Sequence, residues 1–245
     1  SLILSAGLPI DLLRRVIDSA GATARAAVVQ VVCGDTKVVE TAGPGEIFIN
    51  TTGFGVPLHP ERDYSLKCTQ PGDFLIVTGT IGDHGLAVLS AREGLGFEQR
   101  VLSDCAPLHT LILPLIETFP SIHSLRDPTR GGLINVLIDI AEQSGADLLI
   151  DEALIPVHRE VRMGCEMLGI DPLLLVNEGK MVLSVARQEA DAVLDWLRQH
   201  PLGIDSALIG EALSAKHPTG QLSIQKGRSC KLTVRPEGNG IPRLC

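Results

Sequence analysis

The sequence predicts a mixed α/β protein, an α+β arrangement of two domains, the second a layered sandwich. Three observations carry that expectation. β-Branched runs alternate with segments of helical period from residue 74 to 234, and polar turns rich in Gly, Pro and Asp separate them. A proline-containing polar stretch at 57 to 73 divides this region from a shorter α/β unit before it. At 245 residues, 44% hydrophobic and 20% charged, the chain can bury a core as one large domain or two smaller ones.

Taken in order, "PIDLLRRVIDSAGA" at 9 to 22 sets Leu12, Leu13, Val16 and Ile17 on one stripe of an amphipathic helix. The run "VVQVVC" at 28 to 33 reads as a strand, "EIFINTTGFGV" at 46 to 56 as a second, and a polar loop joins them. "PLHPERDYSLKCTQPGD" reads as a linker between the lobes. Beyond it come strand "FLIVTGT", helices at 84–93 and 106–118, strand "IHSLRD" and a helix at 132–144. Strand "ADLLID", a helix at 157–168, strand "MVLSVA" and a helix at 188–199 follow. "SALIGEAL" and "QLSIQKG" form a strand pair, with "SCKLTV" after it. The closing "RPEGNGIPRLC" is polar and rich in Gly and Pro, and reads as a loose tail tipped by the thiol of Cys245.

Composition removes several functions. A net charge of −8 argues against a nucleic-acid surface, whose footprint would be basic. Aromatic residues make up 3%, too few for stacking platforms. No apolar run reaches the length of a membrane span and no signal peptide is visible, so a cytoplasmic protein without a membrane partner is expected. Cys33, Cys68, Cys105, Cys165, Cys230 and Cys245 lie far apart without a CxxC pair. Four of the six sit in ordered-looking segments and read as reduced core thiols, which Cys245 does not.

Four stretches hold residues suited to chemistry. In "CGDTKVVE", Asp35 offers hard oxygen for Mg²⁺, Thr36 a hydroxyl, Gly34 an exposed amide and Lys37 a charge for phosphate. A polar turn with a capping Asp is the other reading, and no Walker A loop is present. "TIGDHG" at 80 to 85 is a strand-to-helix turn in which Asp83 would cap the helix, or where outward amides would favour an anion. "RDPTRGGLINVL" holds Asp127 extended before Pro128 and offers Thr129 as a cap. There Arg130 points to phosphate or carboxylate, and Gly131 and Gly132 admit close approach; a helix start needing small residues is the alternative. "NEGKMVLSV" places Asn177, Glu178 and Lys180 before a strand, where Glu178 is either a general base or a carboxylate paired with Lys180.

Together "VVCGDTKVVE", "FINTTGFG", "TGTIGDHGLAVLSAREGL", "SDCAPL", "RDPTRGGL", "LGIDPLLLVNEGKMV" and the terminal "PRLC" resemble a family of hydrogenase maturation factors. These dehydrate a carbamoylated cysteine to a thiocyanate and belong to the aminoimidazole ribonucleotide synthetase and selenophosphate synthetase superfamily. The resemblance runs from about residue 10 to 245, and the terminal Pro-Arg-Leu-Cys is its most specific part. It implies a homodimer of two α/β domains, the first binding ATP and Mg²⁺. Residues 1–58 would be the remaining part of that ATP domain, 59–233 the second domain and 234–245 the tail. Members of the family extend further at the N-terminus, so the resemblance implies a chain lacking the N-terminal third.

By resemblance, Cys245 carries the substrate, Asp35 helps hold Mg²⁺ and phosphates, Lys37 stabilises charge on the phosphoryl group or the carbamoyl oxygen, and Glu178 is the base. Thr36, Asn50, Asp83 and Arg130 would surround the nucleotide. The implied partners are a carbamoyltransferase that loads the thiol and an iron-bearing scaffold that accepts the cyanide for [NiFe]-hydrogenase. Two rivals are a selenophosphate synthetase-like kinase, whose reactive residue would lie in an N-terminal Gly-rich segment, and a non-catalytic thiol carrier.

Overall fold

The computed structural model describes residues 1–40, 46–95, 101–216 and 219–235. The expected tail, with Cys245, lies outside the described residues apart from its first two positions. The chain divides into two compact units, the first Ser1–Pro60 and the second from Glu61 onward.

In the first unit β1 (Leu2–Ser5) leads into α1 (Ile10–Ala26), and β2 (Thr36–Val39) and β3 (Ile47–Ile49) follow. The sheet order is β2-β1-β3, with β2 parallel and β3 antiparallel to the central strand. Leu12, Leu13 and Val16 of the expected stripe are half-buried, while Ile17 is exposed. The run "VVQVVC" is not a strand. Val28 sits at a φ of 57°, and Val28, Val31 and Val32 are 77 to 84% exposed. β-Branched residues favour strands only where a pleated surface accepts them, and here β1 takes Thr36–Val39 as its partner. The expected strand at 46 to 56 shortens to three residues for the same reason. β1 itself, four residues long, carries too little pattern to be read from sequence.

The second unit begins earlier than a linker at 57 to 73 would allow. Leu66 is 4% exposed and joins the main core, so the stretch after Pro60 is folded structure. Seven strands form its sheet: β4 (Asp73–Val77), β5 (Ile122–Arg126), β6 (Asp147–Asp151), β7 (Val182–Ala186), β8 (Ala207–Leu213), β9 (Leu222–Lys226) and β10 (Ser229–Thr233). Their order is β10-β9-β6-β8-β4-β7-β5; only the β6–β9 pair is parallel. The helices are α2 (Asp83–Glu93), α3 (His109–Thr118), α4 (Gly132–Ser144), α5 (Arg159–Leu168) and α6 (Ala190–Arg198).

Alternation along β4 explains the layers. Leu75 and Val77 face the cluster built on Leu133, Leu137 and Ile140 of α4, while Ile76 faces Leu111 and Leu115 of α3 and Val193 and Leu197 of α6. Side chains of period two leave neither face free, so both sides of the sheet are dry. A third cluster joins Leu86 of α2 to Val161 and Cys165 of α5. Truncating a fully buried leucine such as Leu75 or Leu137 to alanine costs about 2–5 kcal/mol.

Only Cys165 among the described cysteines is buried; Cys33, Cys105 and Cys230 are exposed and Cys68 is intermediate, so the expected set of core thiols shrinks to one. After β10 the chain is tied to α4: Arg235 donates to Asp139 at 2.7 Å and Glu142 at 2.9 Å. Arg126, at the end of β5, pairs with the same Asp139 at 3.0 Å.

Candidate active site

Strand direction brings three of the four motifs of interest into one place. β4 and β5 both run antiparallel to β7, with Val77 and Arg126 each opposite Val182. The loops leaving β4 and β5 and the loop entering β7 therefore meet at one end of the sheet. These are the segments "TGTIGDHG", "RDPTRGG" and "NEGK".

Asn177, fully buried, ties them together. Its Oδ1 accepts the Gly82 N–H at 2.8 Å, and its Nδ2 donates to the Pro128 and Leu175 carbonyls, both at 3.0 Å. The Asn177 backbone N–H also donates to the Pro128 carbonyl, at 3.1 Å. One amide thus satisfies backbone groups in all three loops, which explains an uncharged polar residue at zero exposure.

Asp83 opens α2 without capping it; Gly82 holds the cap position at a φ of 92°. A Cβ at Gly82 would stand 2.9 Å from Val161, so the turn is reserved for glycine. The Asp83 carboxylate is buried, accepting from Thr80 on one oxygen and lying 2.7 Å from His158 Nδ1 on the other. Thr129 does not cap α4 either: Gly131 does, at a φ of 79°, with Gly132 at 64°. A Cβ on Gly132 would lie 2.5 and 2.6 Å from the Leu173 and Leu175 carbonyls, so α4 starts in direct backbone contact with the segment leading to Asn177. Arg130 and Asp127 are exposed beside it.

Glu178 is half-buried, and its N–H donates to Asp104 Oδ1 at 3.0 Å. Lys180 makes its ion pair with Asp104 Oδ2, at 3.9 Å. The thiol of Cys105 is pushed up by partial burial, with the charges of Glu178 and Asp104 adding to it. His84 Nδ1 lies 2.8 Å from Ser103 Oγ, fastening the same segment to α2. His158 and Asp104 escaped the sequence reading. An isolated His carries no signal, and Asp104 lay in a stretch notable only for its resemblance.

In the first unit, Leu2 pairs with Thr36 on one side and Ile49 on the other, which places Asp35, Thr36 and Asn50 at one end of the three-stranded sheet. Lys37 pairs with Ile3, and all four polar residues are exposed. Asp35 Oδ1 accepts the Thr36 N–H at 2.9 Å, and the Asn50 carbonyl accepts the Ser1 ammonium at 2.7 Å. Among the described residues only Oδ1 of this exposed carboxylate is engaged, which fits Mg²⁺, an ion that takes few protein carboxylates and fills its shell with phosphate oxygens and water. Among the described residues no three His, Cys, Asp or Glu side chains gather as an all-protein metal site would require.

Residues 70–223 match the family of AIR synthase related proteins, C-terminal domain. The carbamoyl dehydratase HypE of Azotobacter vinelandii is 43% identical over 243 residues, 99% of this chain and 71% of that protein. Among solved structures, hydrogenase maturation protein HypE in complex with ATP superposes with a TM-score of 0.91 at 41% identity, covering 100% of this chain and 73% of that one. A HypE–HypF complex gives a TM-score of 0.86 at 40% identity, covering 96% and 76%.

Proposed function

Because the chain belongs to the AIR synthase related family, and within it to the carbamoyl dehydratases of hydrogenase maturation, we propose that it dehydrates a carbamoyl group to a nitrile using ATP. The observation that supports this reading is the Asn177 bracket, which joins three loops of the matched family next to Glu178 in the chain.

The finer chemistry is our inference. The carbamoyl group sits on the thiol of Cys245, so the protein modifies itself. Its amide oxygen is a poor leaving group until it is phosphorylated; phosphate then departs as the nitrogen loses its protons and S–C≡N forms. Glu178 is the base that takes those protons. Lys37 neutralises charge on the phosphoryl group or the carbamoyl oxygen, as phosphoryl transfer needs positioning and electrostatics more than covalent help. Asp35 would hold Mg²⁺, whose chemistry is charge neutralisation on the phosphates. Thr36, Asn50, Asp83 and Arg130 would serve the nucleotide, Asp83 while also fixing its turn.

The partner that loads the thiol is a carbamoyltransferase, consistent with the HypE–HypF complex. The acceptor of the cyanide is an iron-bearing scaffold. We infer a homodimer from the family resemblance. We place the reaction in the cytoplasm. The five described cysteines are unbridged, as suits a reducing compartment, and no described helix is long and apolar enough to cross a membrane.

The test is the mass of the C-terminal peptide after incubating the complete protein with carbamoyltransferase, carbamoyl phosphate and ATP. A carbamoyl group should appear and then lose one water, and without ATP the reaction should stop at the carbamoyl stage. Cys245 unmodified under these conditions overturns the reading.

A further inference from the structure

Asp104 stands outside the motifs that carry the proposed chemistry, yet it touches the loop that carries the base at three points. Its Oδ1 accepts the Glu178 N–H at 3.0 Å, and its Oδ2 lies 3.9 Å from Lys180 Nζ. Between those residues, a Cβ on Gly179 would stand 1.8 Å from the Asp104 carbonyl oxygen, so the two backbones are in direct contact and only glycine fits. The Asp104 side chain is 3% exposed and that of Lys180 15%. A carboxylate so buried is retained only where partners compensate its lost hydration.

Those partners, Glu178 and Lys180, flank Gly179 in one turn. The Lys180 side chain also runs beside Gly79, within 3.1 to 3.2 Å of where a Cβ there would be. Among the described residues Oδ2 accepts no hydrogen bond, and its ion pair is with the Lys180 ammonium.

We propose that Asp104 is a positioning residue for the dehydration step: it fixes the backbone from which Glu178 projects and anchors the Lys180 ammonium on the same turn. The proposal rests on the reading of Glu178 as the base. It separates two functions that one carboxylate performs. The acceptor at Oδ1 survives in Asp104→Asn, whereas the charge facing Lys180 does not; Asp104→Ala removes both.

The test uses the complete protein with its carbamoyltransferase, following carbamoylation and nitrile formation separately by peptide mass, with ATP varied. Asp104→Ala should lower kcat for dehydration ~10- to 100-fold, the range a small misplacement of a catalytic group produces. KM for ATP and the rate of carbamoylation should stay as in the parent. Asp104→Asn, equal in volume and still able to accept the Glu178 N–H, should fold and fall between the two. Parental kcat in both variants, or a loss confined to KM for ATP, overturns the proposal. Glu178→Gln runs alongside: if it still forms nitrile, the reading of the base fails and Asp104 has nothing to position. If it is inactive while both Asp104 variants keep parental kcat, the present inference alone is wrong.

Discussion

Asn177 Oδ1 accepts the backbone N–H of Gly82 at 2.8 Å across 95 residues of sequence. The bond joins the loop before β7 to the turn after β4, and Nδ2 of the same side chain extends the tie to the loop after β5. Three loops from three strands thus share one amide.

Asn177→Ala should therefore destabilise the protein by about 2 kcal/mol or more, because the Gly82 N–H and the Leu175 carbonyl lose their partner at about 1–3 kcal/mol for each orphaned group, while the Pro128 carbonyl keeps the Asn177 backbone N–H. Glu178→Gln, one residue along and half-buried, should change stability little. Urea denaturation of the two variants checks the contrast, and equal losses would remove Asn177 from its central place.

Gly132→Ala should be costlier than Gly169→Ala. Both glycines have left-handed φ, 64° and 67°, so both substitutions strain the backbone by ~1–2 kcal/mol. A Cβ at Gly132 also meets the carbonyls of Leu173 and Leu175 inside 2.7 Å, whereas nothing lies within 4 Å at Gly169. Thermal unfolding should rank parent, Gly169→Ala, then Gly132→Ala; the reverse order would mean that the close approach relaxes freely.

Lys37→Ala is expected to leave Cys245 open to carbamoylation and to block nitrile formation. Lys37 is exposed on a three-stranded sheet whose core it does not enter, so the fold should survive. Cys245→Ala should abolish both modifications. Peptide mass reads both variants, and ordinary nitrile formation by Lys37→Ala would strip that lysine of its role.

Cys165 gives the fold a dependence on alkaline pH. Burial, with the charge of Asp171 adding to it, pushes its thiol from 9.0 up to about 11. The unfolded chain releases this proton first, so the contribution of the buried thiol is whole below pH 9 and is lost as pH rises toward 11. The stability gap between the parent and Cys165→Ala should narrow between those limits, other titrations cancelling in the difference. A gap independent of pH, measured in urea, would show that Cys165 keeps an ordinary titration.

What the sequence made legible follows from how local each signal is. The helix at 132–144 is predicted to the residue, because glycines bracket a long apolar run at Gly131 and Gly145. The first unit was read less well: "VVQVVC" has strand composition, but pairing is decided by which backbone lies beside β1, and that is non-local. Asp83 and Thr129 carried capping signals, yet Gly82 and Gly131 took the two cap positions in left-handed conformation, where a Cβ would meet the Val161 side chain at 2.9 Å and the Asn135 side chain at 1.8 Å. "NEGK" was visible as polar residues before a strand. That Asn177 would tie loops 49 and 95 residues away could not be, since its partners are backbone groups that any sequence supplies.

The grip of Arg235 on Asp139 and Glu142 sets a length scale for the chemistry. Ten residues follow Arg235 in the sequence, and covalent geometry lets them span at most ~35 Å. Whatever its conformation, that segment keeps Cys245 within this distance of Arg235. One thiol in a sphere of that radius has an effective concentration of ~10 mM, within the range of short tethers. Lengthening the terminal segment would then dilute the substrate without altering a single contact in the site.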